Sequence, residues 1–294
     1  MGNPDKTQTM IKNWQNPTFK EILRKEATTD KGHLAQGLFK RLYMYLRAIE
    51  LREQGHSFKH IRAIINYEIG DAPGDRTLAT WLKGKASPIG RIHVFDITKP
   101  EIGFILGAII TEGTMCITKQ GEHLDHYLME FNNQDETFIE EFKKACHELG
   151  LATYERLEKS GLGSYKIRVE VKSALLYLLL KHYSQYILNA NPEAQRLFIK
   201  AVFWGDGYIG HTIELNNTDL ELIKTVGQLL QHFGIKWTLR GPWTPKPPGK
   251  KPIYSLHIRL RYLENFKSLI KLSKPSATKV KKENPWKGDV NEGA

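Results

Sequence analysis

Two stretches decide how this chain folds: ILGAIITEG at Ile105–Gly113 and IKAVFWGDG at Ile199–Gly207. Each is an apolar run that ends in an acidic residue and then glycine. A short apolar run stopping at glycine reads as a helix reaching its C-terminal cap. The two acids are Glu112 and Asp206. The residues downstream of each string also recur: Phe131-Asn132-Asn133-Gln134-Asp135 matches Leu215-Asn216-Asn217-Thr218-Asp219. One supersecondary unit is therefore written twice, with a longer hairpin in the first copy.

The rest of each copy is read from its period. Residues 124–131 and 211–215 alternate apolar and polar, as half-buried strands do. Gln134-Asp135 and Thr218-Asp219 open helices in which Phe138, Phe142 and Cys146, then Leu222, Val226 and Leu229, recur at helical spacing. Gly150 and Gly234 stop those helices. Strands at 151–157 with 165–171, and at 236–241 with 253–260, precede a leucine-rich helix. Each copy thus reads αββαββα, the first over 99–190 and the second over 191–275. The expected fold class is α+β, with two pseudo-symmetric repeats and two antiparallel sheets.

On these paired strings and the repeated Asn-Asn segment, the chain resembles the LAGLIDADG homing endonucleases in their single-chain, two-motif form, over roughly residues 98–275. The resemblance implies a saddle of two sheets over a long asymmetric DNA site, and hydrolysis of both strands leaving short 3′ overhangs. It also implies Mg²⁺ or Mn²⁺, two or three ions shared between the carboxylates and the DNA phosphates. Phosphodiester hydrolysis needs a nucleophilic water and charge stabilisation on both oxygens, which carboxylate-held divalent ions supply. Mg²⁺ takes few protein carboxylates and fills its shell from water and phosphate. Glu112 and Asp206 fit that role if the motif helices pack closely, through small residues such as Gly107, Ala108 and Ala201. The main chain near Thr111 and Gly205 would add ligands.

Residue by residue, the resemblance puts Asn133 and Asn217 in solvent-ordering positions, and Lys172 and Arg261 in positions that stabilise developing phosphorane charge. Two alternatives stay open: the asparagines as helix caps, and the two cations as plain surface charges. Trp204 and Lys200 depart from the family pattern, with Lys200 expected to point out of the seam. Two further functions on the same scaffold also stay open, a DNA-binding regulator without cleavage and an intron maturase that binds RNA.

Composition agrees with a polyanionic partner. The chain of 294 residues carries a formal charge of +11, which favours double-stranded DNA through counterion release. Candidate contacts lie on or beside the strands: Lys119, Arg156, Lys159, Lys166 and Arg168 in the first copy, and Lys236, Arg240, His257 and Arg259 in the second. The proline-stiffened loop 242–252 adds Lys246, Lys250 and Lys251. His123 and His126 lie in the first hairpin, and the histidines form no zinc arrangement. Two cysteines, Cys116 and Cys146, are too few for a disulfide framework. No stretch approaches a membrane span and the opening residues have no secretory core. The expectation is a monomer of the cytoplasm or of an organellar matrix.

Outside the repeats, residues 1–36 look polar, with little packed core expected. From 37 to 90 the pattern is helical: 38–55, then 57–66 capped by Ser57, then 76–85 with Asp75 as its cap. The connector around Tyr67–Gly74 is long for a helix-turn-helix, but the last short helix still reads as a major-groove element. Arg76, Thr77, Thr80, Lys83 and Lys85 are its candidate DNA contacts. Residues 91–98 would be a linker, and 276–294 a basic mobile tail.

Overall fold

In the computed structural model the structure describes residues 4–29, 36–120, 124–159, 165–244 and 251–271. The first copy runs α6 (Glu101–Glu112), β1 (Gly113–Gln120), β2 (Leu124–Asn133), α7 (Glu136–Glu148), β3 (Thr153–Lys159), β4 (Tyr165–Lys172) and α8 (Ala174–Lys181). A short helix, α9 (Tyr183–Leu188), leads to the second copy. That copy is α10 (Pro192–Gly205), β5 (Gly207–Ile209), β6 (Ile213–Asn217), α11 (Leu220–His232), β7 (Trp237–Trp243), β8 (Ile253–Ile258) and α12 (Leu263–Ile270). The sheets are antiparallel and share one strand order, β1-β2-β4-β3 and β5-β6-β8-β7. The fold is therefore α+β and internally duplicated, as the repeat demands.

Local chemistry explains the boundaries. Asp135 and Asp219 are the N-caps of α7 and α11, each accepting from two backbone N–H groups through Oδ1. Asn191 caps α10, with Pro192 in the first turn. Gly150 and Gly234, at φ +68° and +73°, take the left-handed geometry that ends α7 and α11. The motif glycines do not. Gly113 has φ −124°, and what excludes a side chain there is space: a Cβ would lie 2.5 Å from the Glu130 carbonyl oxygen. At Gly207 it would lie 2.4 Å from the Phe203 ring.

One face of each sheet is buried under helices. In the first, Tyr127, Met129, Phe131, Val169 and Val171 point inward, and in the second Ile213, Leu215, Leu256 and Ile258. The alternate residues form the opposite, open face.

The N-terminal part departs from expectation. Residues 1–36 are not an uncored polar segment. They form α1 (Pro4–Trp14) and α2 (Pro17–Thr28), which bury Met10, Trp14, Phe19, Ile22, Leu23 and Ala27. Each helix owns only a narrow apolar stripe among lysines, and average polarity hides such a stripe. Next come α3 (Gln36–Glu53), α4 (Phe58–Ile69) and α5 (Asp75–Leu82). Ser57 caps α4 as expected, but the N-cap of α5 is Gly74. Asp75 falls inside the first turn, where its carboxylate pairs with Arg62 at 2.6 Å.

The segment 91–98 is no free linker either. Ile92, Phe95 and Ile97 are buried, and the buried Asn13 side chain holds it by donating to the Phe95 carbonyl at 2.8 Å and accepting from the Ile97 N–H at 3.1 Å. The buried Glu26 carboxylate, paired with the partly exposed Lys181 at 2.6 Å and 3.1 Å from the His182 ring, fastens α2 to the end of α8. The five N-terminal helices and the first copy thus share one core. The segment 276–294 lies outside the described residues. Among those described, no helix is long and apolar enough to cross a membrane.

Candidate active site at the helix seam

The two motif helices α6 and α10 lie against each other along their length, and glycine makes this possible. A Cβ on Gly103 would sit 1.9 Å from the Ala194 carbonyl oxygen, and one on Gly107 2.8 Å from that of Phe198 and 2.9 Å from the Ala201 methyl. At the far end, a Cβ on Gly205 would meet Thr111 Oγ1 at 2.5 Å and Glu112 Cγ at 3.3 Å. Gly107 and Ala201 were expected in this seam. Gly103 and Gly205 were not, because neither stands out without knowledge of what opposes it.

The seam brings the acids together. Glu112 ends α6 and Asp206 follows α10. Both carboxyls sit above their ordinary range. For Glu112 the cause is burial, then the negative charge of Asp206. For Asp206 it is burial, opposed by a hydrogen bond from Asn217. That bond runs from Asn217 Nδ2 to Asp206 Oδ2 at 2.7 Å. Glu112 has no basic or hydrogen-bonding partner among the described residues. The result is two half-buried carboxylates brought close together, with no basic side chain among the described residues paired to either.

The asparagines brace the turns that lead into the middle helices, and Asn217 also binds the carboxylate. Asn217 Oδ1 accepts from the Asp219 N–H at 2.7 Å while its amide holds Asp206. Asn133 Oδ1 accepts from the N–H groups of Gln134 and Asp135, both at 2.8 Å. Both brace the turn into the middle helix, but the N-caps themselves are the aspartates.

Strand register corrects one pairing. Gly113 faces Phe131, which faces Val169; Gly207 faces Leu215, which faces Leu256. Val169 and Leu256 are therefore equivalent, and three residues on stand Lys172 and Arg259. The counterpart of Lys172 is Arg259, not Arg261, which lies beyond the strand in the 3-10 turn Leu260–Tyr262. Lys172 is exposed, 5.9 Å from the Tyr154 ring. Lys200 does leave the seam: it lies over the rings of Phe104 and Trp204 and 3.7 Å from Glu141.

Several candidate DNA contacts share the open faces. In the first sheet Arg156, Lys166 and Arg168 do so, but each is engaged: Arg156 by Glu170 at 3.6 Å, Lys166 by Glu158 at 3.5 Å, and Arg168 by Glu130 and Glu158. Composition showed the cations and not these partners. In the second sheet Arg240 and Arg259 are exposed. His257 faces Glu214 at 3.3 Å, and burial and then Arg240 depress its imidazole against the pull of Glu214. Lys236 and Lys251 are exposed at strand edges. Lys119 and Lys159 belong to β1 and β3, with their side chains outside the described set, as are Lys246, Lys250 and His123. On α5 and just after it, Arg76, Thr77, Lys83 and Lys85 are exposed, whereas the Thr80 hydroxyl turns back onto the Arg76 carbonyl at 2.6 Å.

Residues 193–271 match the LAGLIDADG-like domain. Among solved structures, the homing endonuclease I-DmoI in complex with DNA and Mn is similar at 20% identity and a TM-score of 0.48, over 61% of this chain and 99% of that one. The N-terminal LAGLIDADG domain of DUF199/WhiA is similar at 13% and 0.42, over 60% and 84%. The homing endonuclease I-WcaI bound to its DNA recognition sequence is similar at 16% and 0.41, over 59% and 82%. Among curated proteins, none matches the chain. The second copy thus carries a LAGLIDADG-like domain, and the first copy repeats its plan, down to the acid that ends its opening helix.

Proposed function

We propose that the chain is a site-specific double-strand DNA endonuclease that works as a monomer, cutting a long asymmetric site to leave short 3′ overhangs. One observation carries this reading: Glu112 and Asp206 converge, half-buried, at the seam mouth, and no basic side chain among the described residues pairs with either. Holding two carboxylates there costs stability, and a pure DNA binder has no use for negative charge beside phosphates.

The donor set fits a divalent ion. Among the described residues no three or more His, Cys, Asp or Glu are arranged to hold a metal ion, which disfavours a closed zinc site. Two carboxylates, with main-chain oxygens near Thr111 and Gly205, suit Mg²⁺ or Mn²⁺, whose remaining shell comes from water and phosphate. Such ions activate water and neutralise the oxygens of an in-line displacement. Asn217 holds the Asp206 carboxylate in orientation, and Lys172 supplies positive charge at the end of β4. The open faces of the sheets would follow the duplex, with α5 extending the footprint through Arg76, Thr77, Lys83 and Lys85.

The test is selection of cleaved ends from a randomised duplex library in Mg²⁺ or Mn²⁺, for wild type, Glu112→Gln and Asp206→Asn. Wild type should yield one enriched site, and each variant should cut it at least about a hundredfold more slowly. Binding without any cutting by wild type would point to a regulator. Preferential capture of intron RNA over duplex DNA would point to a maturase.

A further inference from the structure

The two repeats differ in charge where the last strand of each leaves its sheet. In the second repeat a cavity of about 250 Å³ is lined by Lys236, Trp237, Thr238, Arg259 and Arg261. Three of these five residues are cations and none is acidic. The Arg261 guanidinium is already directed, lying 5.0 Å from the Tyr262 ring centre and donating to the Tyr262 hydroxyl at 3.2 Å. Register identifies the equivalent positions of the first repeat. Trp237 pairs with Ile258 as Thr153 pairs with Val171, so Ala152 stands for Lys236, Lys172 for Arg259 and Ala174 for Arg261. Where one repeat has two alanines and a lysine, the other gathers three cations around a cavity.

Like charges gathered without counter-charge repel one another, and an anion relieves them. The volume admits a tetrahedral oxyanion, and guanidinium groups match its oxygens in pairs. Position separates this site from the carboxylate pair. Leu239 lies level with Gly207 across the second sheet. Lys236 is three residues further along β7 and three strands over, ~17 Å away by strand geometry, too far for its side chain to reach a scissile phosphate.

We propose that this cavity is a phosphate site of the second repeat alone, holding a backbone phosphate of the duplex away from the cleavage position. The proposal rests on the reading of the chain as a DNA-binding protein. It makes the grip asymmetric: in the first sheet the cations Arg156, Lys166 and Arg168 are engaged by glutamates, whereas in the second these three cations wait on a phosphate.

The experiment is a KCl titration of binding to a labelled mixed-sequence duplex without divalent metal, using wild type, Lys236→Gln, Arg261→Gln, the double variant and Lys224→Gln. Lys224 is exposed on α11, the helix covering the buried side of the second sheet, and serves as the charge-matched control. Each phosphate neutralised adds about 0.9 to the slope of log K against log salt. Either cavity variant should lower the slope by about 1, and the pair by little more, since one phosphate is lost once. The control should keep the wild-type slope. Full binding with an unchanged slope in the double variant overturns the proposal, as does an additive loss near 2, which means separate contacts. No complex with wild type even at low salt instead removes the DNA reading itself, so the two failures are told apart.

Discussion

The Trp204 indole N–H donates to Asp135 Oδ2 at 2.9 Å, while Oδ1 of the same carboxylate caps α7. The reciprocal bond exists in the other half, where the Tyr183 hydroxyl donates to Asp219 Oδ2 at 3.3 Å and Asp219 Oδ1 caps α11. Each middle helix is thus fastened at its first turn by an aromatic donor from the opposite half. Those turns are the ones braced by Asn133 and Asn217, so the fastening also fixes the surroundings of the carboxylate pair.

Trp204 lies flat on Phe138, with ring centres 4.9 Å apart. Trp204→Phe therefore keeps much of the stacking and removes the donor. A hydrogen bond to a charged acceptor is worth about 1.5–3 kcal/mol. Denaturant unfolding of Trp204→Phe, Asp135→Asn and the double variant should give a coupling energy of about 1 kcal/mol or more. A coupling of zero would mean the contact contributes nothing to holding the halves.

The seam tolerates no added atom at Gly103. A methyl there would meet the Ala194 carbonyl oxygen at 1.9 Å, backbone that can yield only if α6 and α10 separate. Gly103→Ala should cost about 3 kcal/mol or more and widen the gap between Glu112 and Asp206. Gly90→Ala meets nothing within 4 Å, and should stay within about 0.5 kcal/mol of wild type. Equal unfolding midpoints for the two variants would refute the close-packed seam.

Gly103 and Gly205 also mark where sequence stops being informative. The repeat, the capping aspartates and the glycine stops of α7 and α11 are local signals, and each appears where the pattern put it. Gly103 and Gly205 matter only through what lies opposite, on a helix about ninety positions away in the chain. The same holds for the pairing of Lys172 with Arg259: the resemblance pointed to Arg261 after the last strand, and only hydrogen-bond register decides between them. The glutamates that neutralise the first sheet come from β2, β3 and β4, which alternation assigns to a face but not to a partner. Helices α1 and α2 do not show in the sequence because most of what they pack against, α3 above all, lies on other elements.

The carboxylate pair should reveal itself in stability before any cleavage is seen. Both groups have folded pKa values above their unfolded ones. The folded state then binds more protons, and this contribution to stability falls as pH rises through the raised range. At neutral pH, Asp206→Asn should unfold later than wild type by no more than about 1 kcal/mol after solvent screening, and the difference should shrink in acid. Added Mg²⁺ should raise the wild-type melting temperature and leave the Glu112→Gln, Asp206→Asn double variant unmoved. A metal response that survives in the double variant would place the ion elsewhere.

The Glu26 pair gives the opposite sign. Glu26 is 4% exposed; burial pushes its carboxyl up, but hydrogen bonds from His182 and Lys181 outweigh that and hold it below the ordinary value of 4.5. A depressed carboxylate contributes stability above its unfolded pKa and loses it as pH falls through the folded one. Glu26→Gln should therefore cost about 1–2 kcal/mol near neutrality, since it weakens two hydrogen bonds to a charged acceptor while the partly exposed Lys181 keeps its solvation. That gap should close only as pH falls through the depressed folded value, where the wild-type carboxyl also becomes neutral. The pair joins α2 to α8, so amide exchange in α1 and α2 should rise first in the variant. Uniform exchange across all helices would show that the N-terminal helices do not depend on this contact for their docking.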